Sequence, residues 1–250
     1  MSGVCRRKTV FMFKNIFLNF LRKASDYCVV VLSMSGYVPK HATPRRTAIM
    51  FSVLVFSFYL SYFQALNSTL ALIYFLVAEI SYIGFIYIVL PQNGLRHWFI
   101  KKWGSEENGY LAFEAILGFL FLNNLISIAY ITSSTVGNIF DFIPKEFLLV
   151  IVIAMSGIGL AVKVFSARVA SIDIYYWKDM FLGRKIRDFI VAGPYKCLNN
   201  PMYGVGQLQA YAIAIWYGSL IGLFVALLNQ CLIFSFFFLE EKKFIERVYN

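Results

Sequence analysis

The sequence predicts an all-α fold, a polytopic transmembrane helical bundle, and three observations carry that prediction. Of the 250 residues, 60% are hydrophobic and only 14% charged, whereas an ordinary soluble domain has about 25% charged residues. The apolar residues come in runs near the roughly 20 that one helix needs to cross a bilayer. The basic residues gather in alternate connections, as expected when charge sets membrane orientation. Together these predict about six spans, the last two folded as a carboxyl-terminal helical hairpin.

The chain opens with a basic segment, 1–46, holding Arg6, Arg7, Lys8, Lys14, Arg22, Lys23, Lys40, Arg45 and Arg46. Within it the apolar stretch 10–21 is punctuated by Lys14, Asn15 and Asn19, which fall mostly on one helical face with Arg22 and Lys23. That is the pattern of an amphipathic helix lying in the interface. Lys14 interrupts the core that a secretory signal would need, and no small-residue cleavage site follows at once. A second apolar stretch, 27–38, is too short to span.

The first four spans are expected at 47–66, 70–90, 110–131 and 147–165. Asn67-Ser68-Thr69 matches a glycosylation acceptor but sits too close to the bilayer to serve as one. Polar connections follow at 91–109, 132–146 and 166–200. The apolar run 204–239 is too long for one span and suits two, broken near Gly218-Ser219. Such a hairpin returns to the face it left, bringing its two ends together across nearly forty residues of sequence. With a cytoplasmic amino terminus, six spans place every Lys and Arg except Lys145 and Lys163 inside. Both termini and the 166–200 segment are therefore expected on the cytoplasmic side. The net charge of +10 reads as topology and attraction to anionic lipid headgroups rather than nucleic-acid binding. Cys5, Cys28, Cys197 and Cys231 lack paired spacing, and His41 and His97 stand alone, so no metal site is expected.

Several residues have both a plain and a chemical reading. Pro201 holds Asn200 extended and suits the first turn of a helix, leaving free backbone amides at the interface. Glu240-Glu241 can simply mark the end of a span beside Lys242-Lys243. Gly157 and Gly159 can serve close helix packing. Glu79 and Glu114 lie inside spans, where a carboxylate is costly and a functional candidate by default. They can pair with each other, Glu114 can pair with Lys163, or they can line a transport path. The cluster Arg168, Lys178, Arg184, Lys185, Arg187 and Lys196 reads first as a topology signal and second as an attractor of phosphate headgroups.

One combination goes further. Gly193-Pro194-Tyr195, then Asn200-Pro201-Met202-Tyr203, an apolar hairpin and Glu240-Glu241 resembles the integral-membrane methyltransferases that use S-adenosylmethionine. These comprise the phospholipid N-methyltransferases and the isoprenylcysteine carboxyl methyltransferases. Asn199-Asn200, where many members carry Arg-His, brings the chain closer to the phosphatidylethanolamine branch. Gly157-Ile158-Gly159 matches a Gly-x-Gly element of that branch, and residues 1–146 carry no recognisable motif. The resemblance implies a membrane methyltransferase domain over 47–250 with its catalytic core at 147–250. It assigns cofactor binding to Gly157, Gly159, Gly193, Pro194, Tyr195, Asn200, Pro201, Met202, Tyr203, Glu240 and Glu241, and leaves the catalytic base unassigned. It implies a membrane lipid acceptor, most readily a phospholipid amine of the phosphatidylethanolamine type, with a prenylcysteine carboxylate as the alternative within the family. A small-solute transporter is the alternative outside it, but the two halves show no repeat. The site is expected to face the cytoplasm, in the endoplasmic reticulum of a eukaryote or the cell membrane of a prokaryote.

Overall fold

The computed structural model describes residues 24–63, 67–188 and 190–249. The amphipathic stretch 10–21 lies outside them. Among the described residues the regular structure is helical throughout, without a strand. The helices run α1 (Ala24–Met34), α2 (Pro44–Phe63), α3 (Ser68–Val89), α4 (Arg96–Trp103), α5 (Glu106–Ser134), α6 (Lys145–Ala170), α7 (Ile172–Tyr175), α8 (Lys178–Leu182), α9 (Leu208–Trp216), α10 (Leu220–Phe236) and α11 (Lys242–Val248).

Local chemistry sets several of these limits. Asn67 caps α3, its side chain accepting from the Leu70 amide at 2.9 Å. Ser105 does the same for α5 through the Asn108 amide at 3.1 Å, and α4 ends on Gly104 at φ 76°. Each cap satisfies backbone groups that the helix leaves open.

α5 is the hub, touching α2, α3, α4, α8, α9 and α10. α6 packs outside it, chiefly on α9, and turns Phe147, Val150, Ile153 and Ile158 outward. Four helices are long and apolar enough to cross a bilayer: α3, α5, α6 and the continuous Leu220–Val248. Such a chain is an integral membrane protein. These four, found among the described residues, do not establish the expected count of about six. The first limb of the expected hairpin contains only nine α-helical residues, about 14 Å at 1.5 Å per residue. Pro201 does not start it either. The Asn200 carbonyl accepts from Gly204 N (2.9 Å) and the Pro201 carbonyl from Gly206 N (2.8 Å), so 201–204 forms turns, Val205–Gln207 a single 3-10 turn, and α9 begins at Leu208.

The far end of α9 is closed by a backbone-to-backbone contact. The Gly137 amide donates to the Tyr217 carbonyl at 3.1 Å. Gly218 has φ 57°, and a Cβ there would lie 2.5 Å from the Gly137 carbonyl oxygen. Only glycine suits that conformation at that distance. The chain then reverses into α10, capped by Ser219 on the Gly222 amide at 2.8 Å.

Buried polar groups tie the bundle together. Glu114, fully buried on α5, accepts from His41 Nδ1 and from Arg46 Nη2, both at 2.9 Å. This corrects the pairing with Lys163 or Glu79 that the sequence allowed, because the amino-terminal segment folds back and supplies two hydrogen-bond partners. Glu79 of α3 accepts from Asn124 Nδ2 of α5 at 2.5 Å and from Asn229 Nδ2 of α10 at 3.0 Å. Three helices therefore share one hydrogen-bonded carboxylate, which meets the requirement that a buried polar group find partners.

Candidate active site

One end of the bundle gathers α4, α7, α8, the segments 183–188 and 190–207, and α11. It is held by Arg184 Nη2–Glu106 Oε2 at 2.6 Å, Lys178 Nζ–Glu107 Oε1 at 3.2 Å and a bond from the buried Arg96 Nη1 to the Met180 carbonyl at 2.8 Å. Beneath this cover Tyr110, Phe113, Phe181, Tyr176, Trp177 and Phe236 form an aromatic core. Beside the core lies a cavity of about 340 Å³, within the usual size range of small-ligand sites, about 300–1,000 Å³.

Glu241 lines it. Tyr203 Oη donates to Glu241 Oε2 at 2.8 Å and Trp177 Nε1 donates to the same oxygen at 3.1 Å. Glu241 Oε1 makes no hydrogen bond among the described residues, so an acceptor remains for a ligand. Three local devices aim these groups. The helix widens to a π turn over Phe237–Glu241, a distortion that re-aims side chains and is frequent at functional sites. Trp177 holds a left-handed backbone at φ 52°, which separates α7 from α8. Its ring packs edge-on against Phe236 at 5.5 Å. Gln230 of α10 donates to the Tyr203 and Gly204 carbonyls at 2.8 and 3.2 Å and accepts from Tyr211 Oη at 2.6 Å. It thereby pins the turn that carries Tyr203 to α10.

The hairpin ends meet as its length requires, but only some of the predicted residues reach the cavity. Tyr195, Asn200, Met202, Tyr203 and Glu241 line it. Gly193, Pro194 and Pro201 shape the adjoining turns; Gly193, at φ 55°, opens the short Gly193–Lys196 helix. Glu240 is half-buried and off the wall. Gly159 lies against α9, where an added Cβ would stand 3.1 Å from Leu208 Cβ, and Gly157 has open space around it. Neither glycine lines the cavity. Lys242 stands 3.8 Å from Glu246 and makes no ion pair with Glu241.

Other lining residues carried no motif. Trp177 and Asp179 come from the polar segment, Tyr249 from the tail and Lys163 from α6. Asp179 Oδ1 accepts from the Met180 amide at 2.8 Å, and Oδ2 accepts from Tyr249 Oη at 3.0 Å. Burial pushes the Asp179 carboxyl above its ordinary range, and these hydrogen bonds pull it partly back. Burial and the nearby Glu241 hold the Tyr203 phenol well above its ordinary pKa, so it stays a donor. The one sequence signal for Trp177 and Asp179 is the density of aromatic and acidic side chains in 173–179, and Tyr249 and Lys163 carry none.

Comparison with known proteins bears on this same segment. Residues 147–250 match the family of phospholipid methyltransferases. The phosphatidylethanolamine N-methyltransferase of Chaetomium globosum is 32% identical over 101 residues, covering 40% of this chain and 11% of that protein. The protein of the same name from Talaromyces marneffei is 32% identical over 92 residues, 37% of this chain and 9% of that protein. The chain thus spans about a tenth of the length of these relatives. No solved structure matches significantly. The resemblance read from the Gly-Pro-Tyr, Asn-Pro-Met-Tyr and Glu-Glu elements is borne out over 147–250.

Proposed function

We propose that this chain transfers a methyl group from S-adenosylmethionine to a phospholipid amine, of the phosphatidylethanolamine type, at the cytoplasmic boundary of the membrane. One observation carries the reading. A carboxylate held by Tyr203 and Trp177 lines a cavity at the junction of the spans and the polar cover.

The residues present fit the cofactor. Glu241 Oε1 is free to accept from a ribose hydroxyl or an α-ammonium. Trp177, Tyr195 and Tyr203 supply aromatic surface for an adenine ring or a sulfonium cation. Bound S-adenosylmethionine would supply an electrophilic methyl group for direct displacement, the new N–C bond forming as the C–S bond breaks and S-adenosylhomocysteine departs. The chain's own contribution is then positional, since holding two reactants in line accounts for about 7–11 kcal/mol in favourable cases. Ile233, Phe237 and Phe244 keep one side of the cavity apolar. Asp179, with its carboxyl pushed up by burial, suits acceptance of the proton that a lipid ammonium must lose first. The transporter reading loses its main support because Glu79 and Glu114 are bonded within the protein.

The test is incubation of purified protein with mixed phospholipids and methyl-labelled cofactor, followed by product separation. Label is expected in an N-methylated headgroup. Label released by mild base as a methyl ester would assign the chain to carboxylate methylation instead, and no incorporation would reject methyl transfer.

A further inference from the structure

Lys163 is only 6% exposed, yet it lines the cavity. Its Nζ lies 5.7 Å from the centre of the Phe121 ring, and no carboxylate pairs with it among the described residues. The acids that line the cavity bond elsewhere: Glu241 Oε2 to Trp177 and Tyr203, Asp179 to Tyr249, Asp188 to Lys185 and Glu246 to Lys242. A buried charge without a partner is costly, and breaking a buried pair leaves the same penalty. The stem is also held in place. Gly206 passes directly over it, and a Cβ there would lie 3.4 Å from Lys163 Cβ and 3.5 Å from Cγ. The turn that carries Tyr203 therefore packs on the lysine stem, while the ammonium stays at the cavity wall.

We propose that Lys163 is the anion anchor of the cavity and binds an anionic oxygen group of a ligand. Two sources offer that chemistry, the carboxylate of the methionyl part of the cofactor and the phosphodiester of the lipid. This rests on the methyltransferase reading, because that reading brings both groups to the cavity. An ammonium at this wall orients whichever group it holds relative to Glu241, so Lys163 selects ligands by charge at one end while Glu241 accepts donors at the other.

The test compares wild type with Lys163→Met, which keeps the length of the stem, and Lys163→Arg, which keeps the charge. Binding is measured by calorimetry for S-adenosylhomocysteine and its decarboxylated analogue, and for short-chain phosphatidylethanolamine and a phosphate-free lipid amine. Wild type is expected to prefer the anionic member of one pair about 10- to 100-fold, the effect of one charge-assisted hydrogen bond. Lys163→Met should abolish that preference and Lys163→Arg should keep most of it. A preference within the first pair identifies the carboxylate, and one within the second the phosphodiester. Wild type without either preference, or Lys163→Met retaining the preference in full, overturns the proposal. Should Lys163→Met not fold, the charge-free Lys163→Gln takes its place: loss of the preference there supports the assignment, and its full retention counts against it. Wild type that binds no S-adenosylhomocysteine would sink the methyltransferase reading separately, with the lipid pair still testing Lys163.

Discussion

Replacing Glu241 by Gln isolates what its charge does. Both protein donors, Tyr203 Oη at 2.8 Å and Trp177 Nε1 at 3.1 Å, fall on Oε2. In the variant the amide oxygen occupies that place and keeps both bonds. The amide nitrogen then replaces Oε1, presenting a donor where a ligand hydroxyl or ammonium needs an acceptor. The loss therefore falls on the ligand rather than on the fold. A hydrogen bond to a charged group contributes about 1.5–3 kcal/mol, so cofactor affinity should fall about 10- to 100-fold. Neutral bonds to Tyr203 and Trp177 are weaker than charged ones, by about 1 kcal/mol in total, so melting without ligand should shift only slightly. The assay is calorimetric titration of S-adenosylhomocysteine into wild type, Glu241→Gln and the exposed control Lys243→Gln, with melting curves for each. Unchanged affinity in Glu241→Gln, at unchanged melting, would refute the assignment of the carboxylate to the cofactor. A parallel loss in Lys243→Gln would mean that general surface charge carries the effect.

Gln230→Leu removes both bonds that pin the Tyr203 turn to α10, together with the bond from Tyr211. It should lower stability by about 1–3 kcal/mol in denaturant titration and weaken cofactor binding as well, since Tyr203 loses its support. Glu114→Ala leaves His41 and Arg46 without their shared carboxylate, and loss of about 3–5 kcal/mol is expected in the same titration. Asp179 sets a pH dependence. Its folded-state pKa lies above the unfolded one, so its stabilising contribution is complete below the unfolded pKa and lost as pH rises through the folded value; Asp179→Asn should flatten that part of the stability–pH curve. For topology, an impermeant thiol reagent applied outside cells should modify a cysteine placed at Thr135 and spare one at Lys185, and the reverse result would put the cavity on the outer face.

The sequence by itself settled what depends on composition and local pattern. Apolar runs long enough for the bilayer and few charges determined an all-α membrane bundle. The length of the 204–239 run with its break at Gly218 determined that the hairpin ends would meet, and Tyr203 and Glu241 do so. The motif order around that hairpin also pointed to the family that residues 147–250 match. What local pattern could not reach was which side of each motif faces the cavity. A π turn at Phe237–Glu241 separates Glu241 on the wall from Glu240 off it, though the two are chemically identical neighbours. The partners of Glu114 come from a segment folded back across 73 and 68 residues of chain, a distance at which sequence spacing carries no geometric information. Lys163 looked like an ordinary charge within a span, a partner for Glu114. Only the tertiary structure, which bonds Glu114 to His41 and Arg46 and packs Gly206 on the lysine stem, leaves Lys163 at the cavity wall without a carboxylate partner among the described residues. Hydropathy and chain length act along the sequence and can be read there, whereas the pairing of buried charges is decided by which helices become neighbours.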